Sequence, residues 1–338
     1  DDVDLMVGRV DLSNMPAFAK DERGLLRQYL KRLHAFRHGE TPVAMRARID
    51  NRLTGFSEGF GSTARSGFSA ICGHTNVQYG ALFPSITNGT YLLGHAVNYA
   101  GYTSMSGIAS TSTFAQQSSK AVFLTMFGSY FGDWNVANNL LRAPLCGEGL
   151  TLATGYSGRP QWNMHDLGLG RTLGHIVRLS QNSRTGDPYY TGYYARGVHI
   201  ALMGDPTLTL FPTPPPLDAR ADRDAADTST VTLHWTAASD STSPDFLGYH
   251  VFHASDSASA FTRITTTPIT DTTSWTDTSA GGNASEVYLV RALWRVRTGS
   301  GSYLSLSQGA FAWPDPTVVW VVKEKEKASE LGPDSGRV

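Results

Sequence analysis

The stretch Phe-Gly-Ser-Tyr-Phe-Gly-Asp-Trp (127–134) follows directly on the apolar run "AVFLTM" at 121–126. A buried strand that runs straight into a turn presents the turn's side chains at the end of a sheet. Hydrolases built from alternating strands and helices hold a nucleophile there. Ser129 is the hydroxyl in that place, and it needs a base to become a nucleophile. His95 lies on the apolar run "YLLGHAVNYAG" (91–101), His74 follows Cys72 in "ICGHTN", and His165 and His175 lie in or near a later helical stretch. The Gly-x-Ser-x-Gly pattern of a nucleophile elbow is absent, because Phe127 and Phe131 flank Ser129 two residues away on each side. Cys72 with His74 is a second pair of suitable types, but a lone cysteine near a histidine reads first as core packing. Asp133 has the chemistry to bind a cation; in a glycine-rich turn it reads first as a cap for a helix over "NNLLRAPL" (138–145). Asp205 in "MGDPTL" reads as turn chemistry, since Asp-Pro favours turn initiation. No metal site and no cofactor is expected.

Aromatic residues crowd the same region. Tyr99, Tyr102, Tyr130, Phe131, Trp134, Tyr156 and Trp162 lie in or near the ends of the expected strands. Tyr99, Tyr130, Asp133, Trp134 and Trp162 outline a candidate cleft. Aromatic-lined clefts suit sugars or peptides. The other reading, which is favoured, is that the rings plug a pocket.

The elements that would position these residues alternate along the first two thirds of the chain. "DLMVGRV" (4–10) reads as a strand. Leu25, Leu26, Tyr29, Leu30, Leu33 and Phe36 recur at helical spacing, with Gly39 as the stop. The runs at 91–101 and 121–127 are nearly continuous in apolar residues, the pattern of strands covered on both faces. "NNLLRAPL" and "LGLGRTLGHIVRLSQNS" (167–183) read as helices, and "VHIALMG" (198–204) as a further buried strand. The composition then changes at the stiff segment "PTPPP" (212–216). Beyond it come short alternating strands separated by turn residues: "STVTLHW", "LGYHVFHA", "TSWTD", "EVYLVRALW" and "YLSLSQGAFAW". Val231, Leu233 and Trp235 face one way, as do Tyr249 with Val251, and Tyr288, Val290 and Ala292.

Four stretches together resemble the gingipain-like branch of the caspase-fold cysteine peptidases. "LMVGRVDLSN" is similar to an opening strand with an apolar-Gly-Arg signature. "VNYAGYTSMS" (97–106) is similar to the catalytic-histidine turn, and "MFGSYFGDW" to the catalytic-cysteine turn. "ALMGDPTLTLFP" (201–212) resembles the closing strand and the step into an Ig-like domain. The resemblance implies an α/β caspase-like fold, a mainly parallel sheet flanked by helices, over 1–211, with an earlier half of the domain preceding residue 1. It puts the histidine's position on Tyr102, after Gly101, and the cysteine's on Ser129, after Gly128. Both members of the dyad are then substituted. The chemistry needs a polarisable thiolate and an imidazole that exchanges a proton near neutral pH. Tyrosine, with a pKa of about 10, is a poor base there.

The segment 217–313 resembles a fibronectin type III domain through Trp235, "GYHVF", "YLVRAL" and the final "SQG". That implies an all-β, seven-strand sandwich without disulfides and says nothing of ligand. The Pro-rich linker would be 212–216. The remainder, 314–338, holds the strand-like "TVVWVV" (317–322) and the charged "KEKEK" (323–327). The first is expected to pair as a strand with its own chain or a neighbouring molecule, the second to guard the edge.

The chain has 338 residues, 41% hydrophobic and 17% charged, enough apolar material for sizeable cores. A net charge of −1 gives no electrostatic case for nucleic acid. No run approaches the length that spans a bilayer. Cys72 and Cys146 suit one disulfide or two buried thiols equally. Low charge with many Thr and Ser fits a secreted or cell-surface protein. The expected function is non-catalytic, structural or adhesive, with a protein partner or self-assembly. The alternatives are an atypical serine or cysteine hydrolase, and a carbohydrate- or peptide-binding module.

Overall fold

The structure is a computed structural model and describes residues 2–56, 59–157, 162–183 and 200–314. The chain divides into two compact units near Pro214, with Arg295–Ser305 counted in the first. "TVVWVV" and "KEKEK" lie outside the described residues.

The first unit has the element order α1 (Glu22–Arg37), β1 (Ala47–Asn51), α2 (Phe60–Cys72), β2 (Val77–Tyr79), α3 (Ser85–Asn88), β3 (Tyr91–Val97), β4 (Ser104–Met105), β5 (Ala109–Ser110), α4 (Thr111–Gln116), β6 (Ala121–Phe127), α5 (Ala143–Cys146), β7 (Ala153–Ser157), α6 (Leu173–Asn182) and β8 (Ile200–Gly204). Among the described residues, six strands form one mixed sheet in the order β2-β1-β3-β6-β7-β8. All neighbours run parallel except β7 and β8, which are antiparallel. Every residue of β3 and of β6 is buried, which is why both strands are written as nearly continuous apolar runs. Helix α1 starts where Asp21 accepts a hydrogen bond from Gly24 N at 2.8 Å, and it buries Leu25, Tyr29, Leu33 and Phe36 against the core.

Several expected elements take another form. "DLMVGRV" is not a strand: only Arg9 bridges to Met203, and Leu5, Met6 and Val7 stay exposed. Nothing buried on that stretch supports a ladder. "NNLLRAPL" is an α-helix only from Ala143, within Ala143–Cys146; before it the Asn139 side chain accepts from the amides of Leu141 and Arg142. The single helix expected over 167–183 is broken. A 3-10 turn over His165–Leu169 ends at Gly170, with φ of 84°, and α6 starts anew behind the Thr172 cap.

Among the described residues, the chain beyond Pro214 holds seven strands in two antiparallel sheets. β9 (Leu217–Arg223), β10 (Val231–Thr236) and β13 (Ser274–Asp277) form one, in the order β13-β10-β9. β11 (Phe246–Ala254), β12 (Thr262–Arg263), β14 (Val287–Thr298) and β15 (Gly301–Ala312) form the other, in the order β12-β11-β14-β15. Val231, Leu233 and Trp235 from the first sheet share one buried cluster with Tyr249, Val251, Tyr288, Val290 and Ala292 from the second. The alternation in sequence is therefore the inward face of each strand.

Trp162 packs into the core of the first unit, edge-to-face with Phe123 at 6.0 Å and with its indole edge over Gly155. A Cβ at Gly155 would stand 2.7 Å from Trp162 Cη2 and 3.3 Å from Phe123 Cζ. Gly155→Ala should therefore force the indole to shift, lowering stability by roughly 1–3 kcal/mol. Urea unfolding checks this, and an unchanged midpoint would show that the indole does not need that space.

Candidate functional site

Strands β3 and β6 are neighbours in register, with Val97 opposite Phe127. The turns that leave their C-terminal ends therefore start side by side. Asn98 N donates to Phe127 O at 3.3 Å. Gly128 passes so close to the first turn that a Cβ there would stand 2.6 Å from both Asn98 O and Ala100 Cβ. The glycine is required by that approach. Beyond it the chain carries Ser129 and Tyr130, both exposed, with Tyr130 in the left-handed region at φ 70°.

A third stretch fastens the two turns. Leu140 N donates to Tyr102 O at 2.9 Å. Next to it, the fully buried Asn139 donates through Nδ2 to Phe131 O at 2.9 Å and Asp133 O at 3.2 Å, while its Oδ1 accepts from Leu141 N and Arg142 N. Arg142, 1% exposed, reaches Asp11 Oδ1 at 3.1 Å, Ser13 O at 2.8 Å and Val136 O at 2.8 Å. Burial alone would raise the Asp11 carboxyl, but hydrogen bonds from Ser13 and the charges of Arg142 and Arg9 hold it below the ordinary carboxylate range. Sequence reading missed Asn139, which it placed inside a helix. An asparagine pair opening an apolar run was the available signal.

Tyr102 and Tyr130 bring their rings to a centroid distance of 5.5 Å, so the tyrosine at the expected histidine position faces the residue next to Ser129. The aromatic residues crowding this region, the candidate cleft among them, separate into two sets. Tyr99, Tyr102 and Tyr130 stand exposed. Beneath the turns, Phe131 is fully buried and meets Tyr156 edge-on at 5.0 Å, and the Tyr156 hydroxyl donates to Gly128 O at 3.2 Å. Those rings form a plug. Trp134 is not open to a ligand either; it packs on the core under the Arg9 guanidinium, 4.0 Å above its ring. Trp162 is a core residue. Asp133 is exposed and caps no helix; its carbonyl, not its carboxylate, serves Asn139.

None of the candidate bases serves Ser129. Among the described residues no histidine is hydrogen-bonded to it. His95 is buried within the sheet, with Nδ1 2.9 Å from Thr125 Oγ1. His175 and His165 both approach Asp166, at 2.8 and 3.4 Å. His74 is exposed on its turn. Cys72 and Cys146 are free and buried, and burial pushes both thiols up to about 12, far from nucleophilic. Asp205 does turn work, accepting from Thr207 N at 2.8 Å. Among the described residues no group of His, Cys, Asp or Glu could hold a metal ion, and no helix is long and apolar enough to cross a membrane.

No family model matches the chain, and no curated protein matches it. Among solved structures it is similar to an Fn3-like protein from Clostridium thermocellum, with 26% identity and a TM-score of 0.22, covering 30% of this chain and 91% of that one.

Burial without a compensating charge depresses His95 to about 4. The unfolded chain, with an ordinary imidazole at about 6.5, takes up a proton that the fold refuses. Stability contributed by the neutral ring is present above that value and is lost as pH falls through the folded one. Between pH 7.5 and 4.5 the native chain should lose on the order of 2–3 kcal/mol more than His95→Asn. Equal pH dependences in urea titrations would contradict this.

Proposed function

We propose that this chain is a non-catalytic adhesion or assembly module, secreted or held at a cell surface. Its first unit is read as a gingipain-like, caspase-fold scaffold whose dyad positions carry Tyr102 and Ser129, and its second as a fibronectin type III domain. The observation that carries the reading is the pairing of the two turns. They leave adjacent parallel strands, touch at Gly128 and are tied together by Asn139 and Leu140. That is the arrangement a two-residue catalytic site requires. Its occupants are a phenol and an unassisted hydroxyl. A tyrosine is a poor base at neutral pH and a serine without a base is a weak nucleophile. The seven-strand second unit suits a spacer or display element, and the low net charge suits protein or glycan contacts better than nucleic acid.

The test is activity-based labelling. The native chain should take up neither a fluorophosphonate nor a peptidyl acyloxymethyl ketone, should not cleave casein, and should behave identically as Ser129→Ala. Labelling or cleavage that disappears in Ser129→Ala would make it a serine hydrolase and end the non-catalytic reading.

A further inference from the structure

We infer that the exposed tyrosine rim above the substituted site is a stacking platform for a neutral polysaccharide chain. The inference rests on the non-catalytic reading of that site and names its ligand. Tyr99 is 65% exposed, Tyr130 61%, Phe56 49% and Tyr102 41%, in a protein whose other rings at this edge are packed away. The four form two contacting pairs, Phe56 with Tyr99 at 6.4 Å and Tyr102 with Tyr130 at 5.5 Å. Tyr99 and Tyr102 share one small hairpin, closed by Gly101 N to Ser104 O at 2.8 Å and Ser106 N to Tyr99 O at 2.9 Å, and by the Asn98 side chain on Ser106 O at 2.7 Å. The platform is therefore held in place before any ligand arrives. Tyr130 keeps its place at the cost of a left-handed backbone that a side chain rarely adopts, a form of strain found where function demands a particular side chain.

The surroundings decide what chemistry fits. Residues 98–106 and 128–131 contain no charged side chain; they offer Ser, Thr and Asn beside the rings. The nearby cations are engaged, Arg9 over Trp134 and Arg52 on Asp50. An anionic ligand finds no free counter-charge there. An extended peptide would add to a sheet edge through unpaired backbone groups, and several of this rim's backbone groups are already paired. The amides of Asn98, Gly101, Ser106 and Phe131 are donated, and the carbonyls of Tyr99, Tyr102, Thr103 and Ser104 are taken. What remains is ring faces flanked by neutral hydroxyls and an amide. That set matches the apolar C–H face and hydroxyl rim of a pyranose chain.

The full chain should be retarded in native gels containing at least one neutral polysaccharide from a panel of β-1,4-glucan, β-1,3-glucan, xylan and mannan. It should not be retarded by alginate, a polyanion. Calorimetry with the matching hexasaccharide should show Tyr102→Ala and Tyr130→Ala each weakening association about ten-fold, the value of one stacking contact. Thermal midpoints should stay unchanged, since both side chains are exposed. Retardation by no neutral polysaccharide, retardation that survives the double variant, or retention on a peptide array alone would overturn the inference. Probe labelling of the same preparation separates the two failures: labelling defeats the non-catalytic reading, whereas absent glycan binding without labelling defeats only the platform.

Discussion

The candidate site depends on one side-chain amide. Asn139 has no exposed surface, and it satisfies two carbonyls of the Ser129 turn and two amides of the segment that follows. An amide is suited to the task because it carries donors and acceptors on one rigid plane. Without it, the Phe131 carbonyl and the amides of Leu141 and Arg142 would lose this buried partner, and each unmet group costs about 1–3 kcal/mol. The neighbouring Leu140 N reaches the other turn at Tyr102 O. Two successive residues thus hold both turns, and Arg142 pins the same segment to Asp11 and Ser13. The register of β3 and β6 brings the turns to the same edge; this buckle fixes how they sit there.

The same interior sets how the described thiols and His95 are placed. Reactive groups need partial exposure and a charge partner, whereas the described thiols are buried in apolar surroundings. His95 is the closest imidazole in sequence to the Tyr102 turn, but it belongs to the sheet and shares a hydrogen bond with Thr125. A neutral, desolvated ring inside a sheet is a core residue with a polar edge. The space beneath the turns is filled by Phe131 and Tyr156. The rings above them, by contrast, meet solvent.

The two turns were legible because strands covered on both faces are nearly continuous in apolar residues, and β3 and β6 are, with only His95 and Thr125 interrupting them. Five of the sandwich strands were legible from alternation; β9 and β12 were not. Strand β1 was not: Arg48 and Asp50 break the apolar pattern of "ARIDN", and the segment drew no assignment. The structure pairs those charges locally, Asp50 with Arg52 and the Leu82 amide, and Arg48 with Ala81 O. Helix α2 was missed because its Gly, Ser and Thr content dilutes the apolar face that packs Phe60, Ala64 and Phe68. Asn139 was hidden by the helical look of the leucines beside it. Trp162 was assigned to the cleft because sequence gives proximity along the chain and not the face of the sheet. The aromatic crowd read as one feature; in three dimensions it is a plug and a rim.

The central claim is that Tyr102 and Ser129 occupy the two positions of a thiol–imidazole dyad whose geometry persists without its chemistry. Restoring the pair tests it most directly, by measuring the pH dependence of iodoacetamide alkylation in Ser129→Cys and in Tyr102→His with Ser129→Cys. The account predicts that the double variant alkylates well below the ordinary cysteine range of about 8.5, because a nearby imidazolium stabilises the thiolate. The single variant should titrate near the ordinary value. Identical profiles for the two would mean that the positions do not face each other as a dyad, and the account would be wrong.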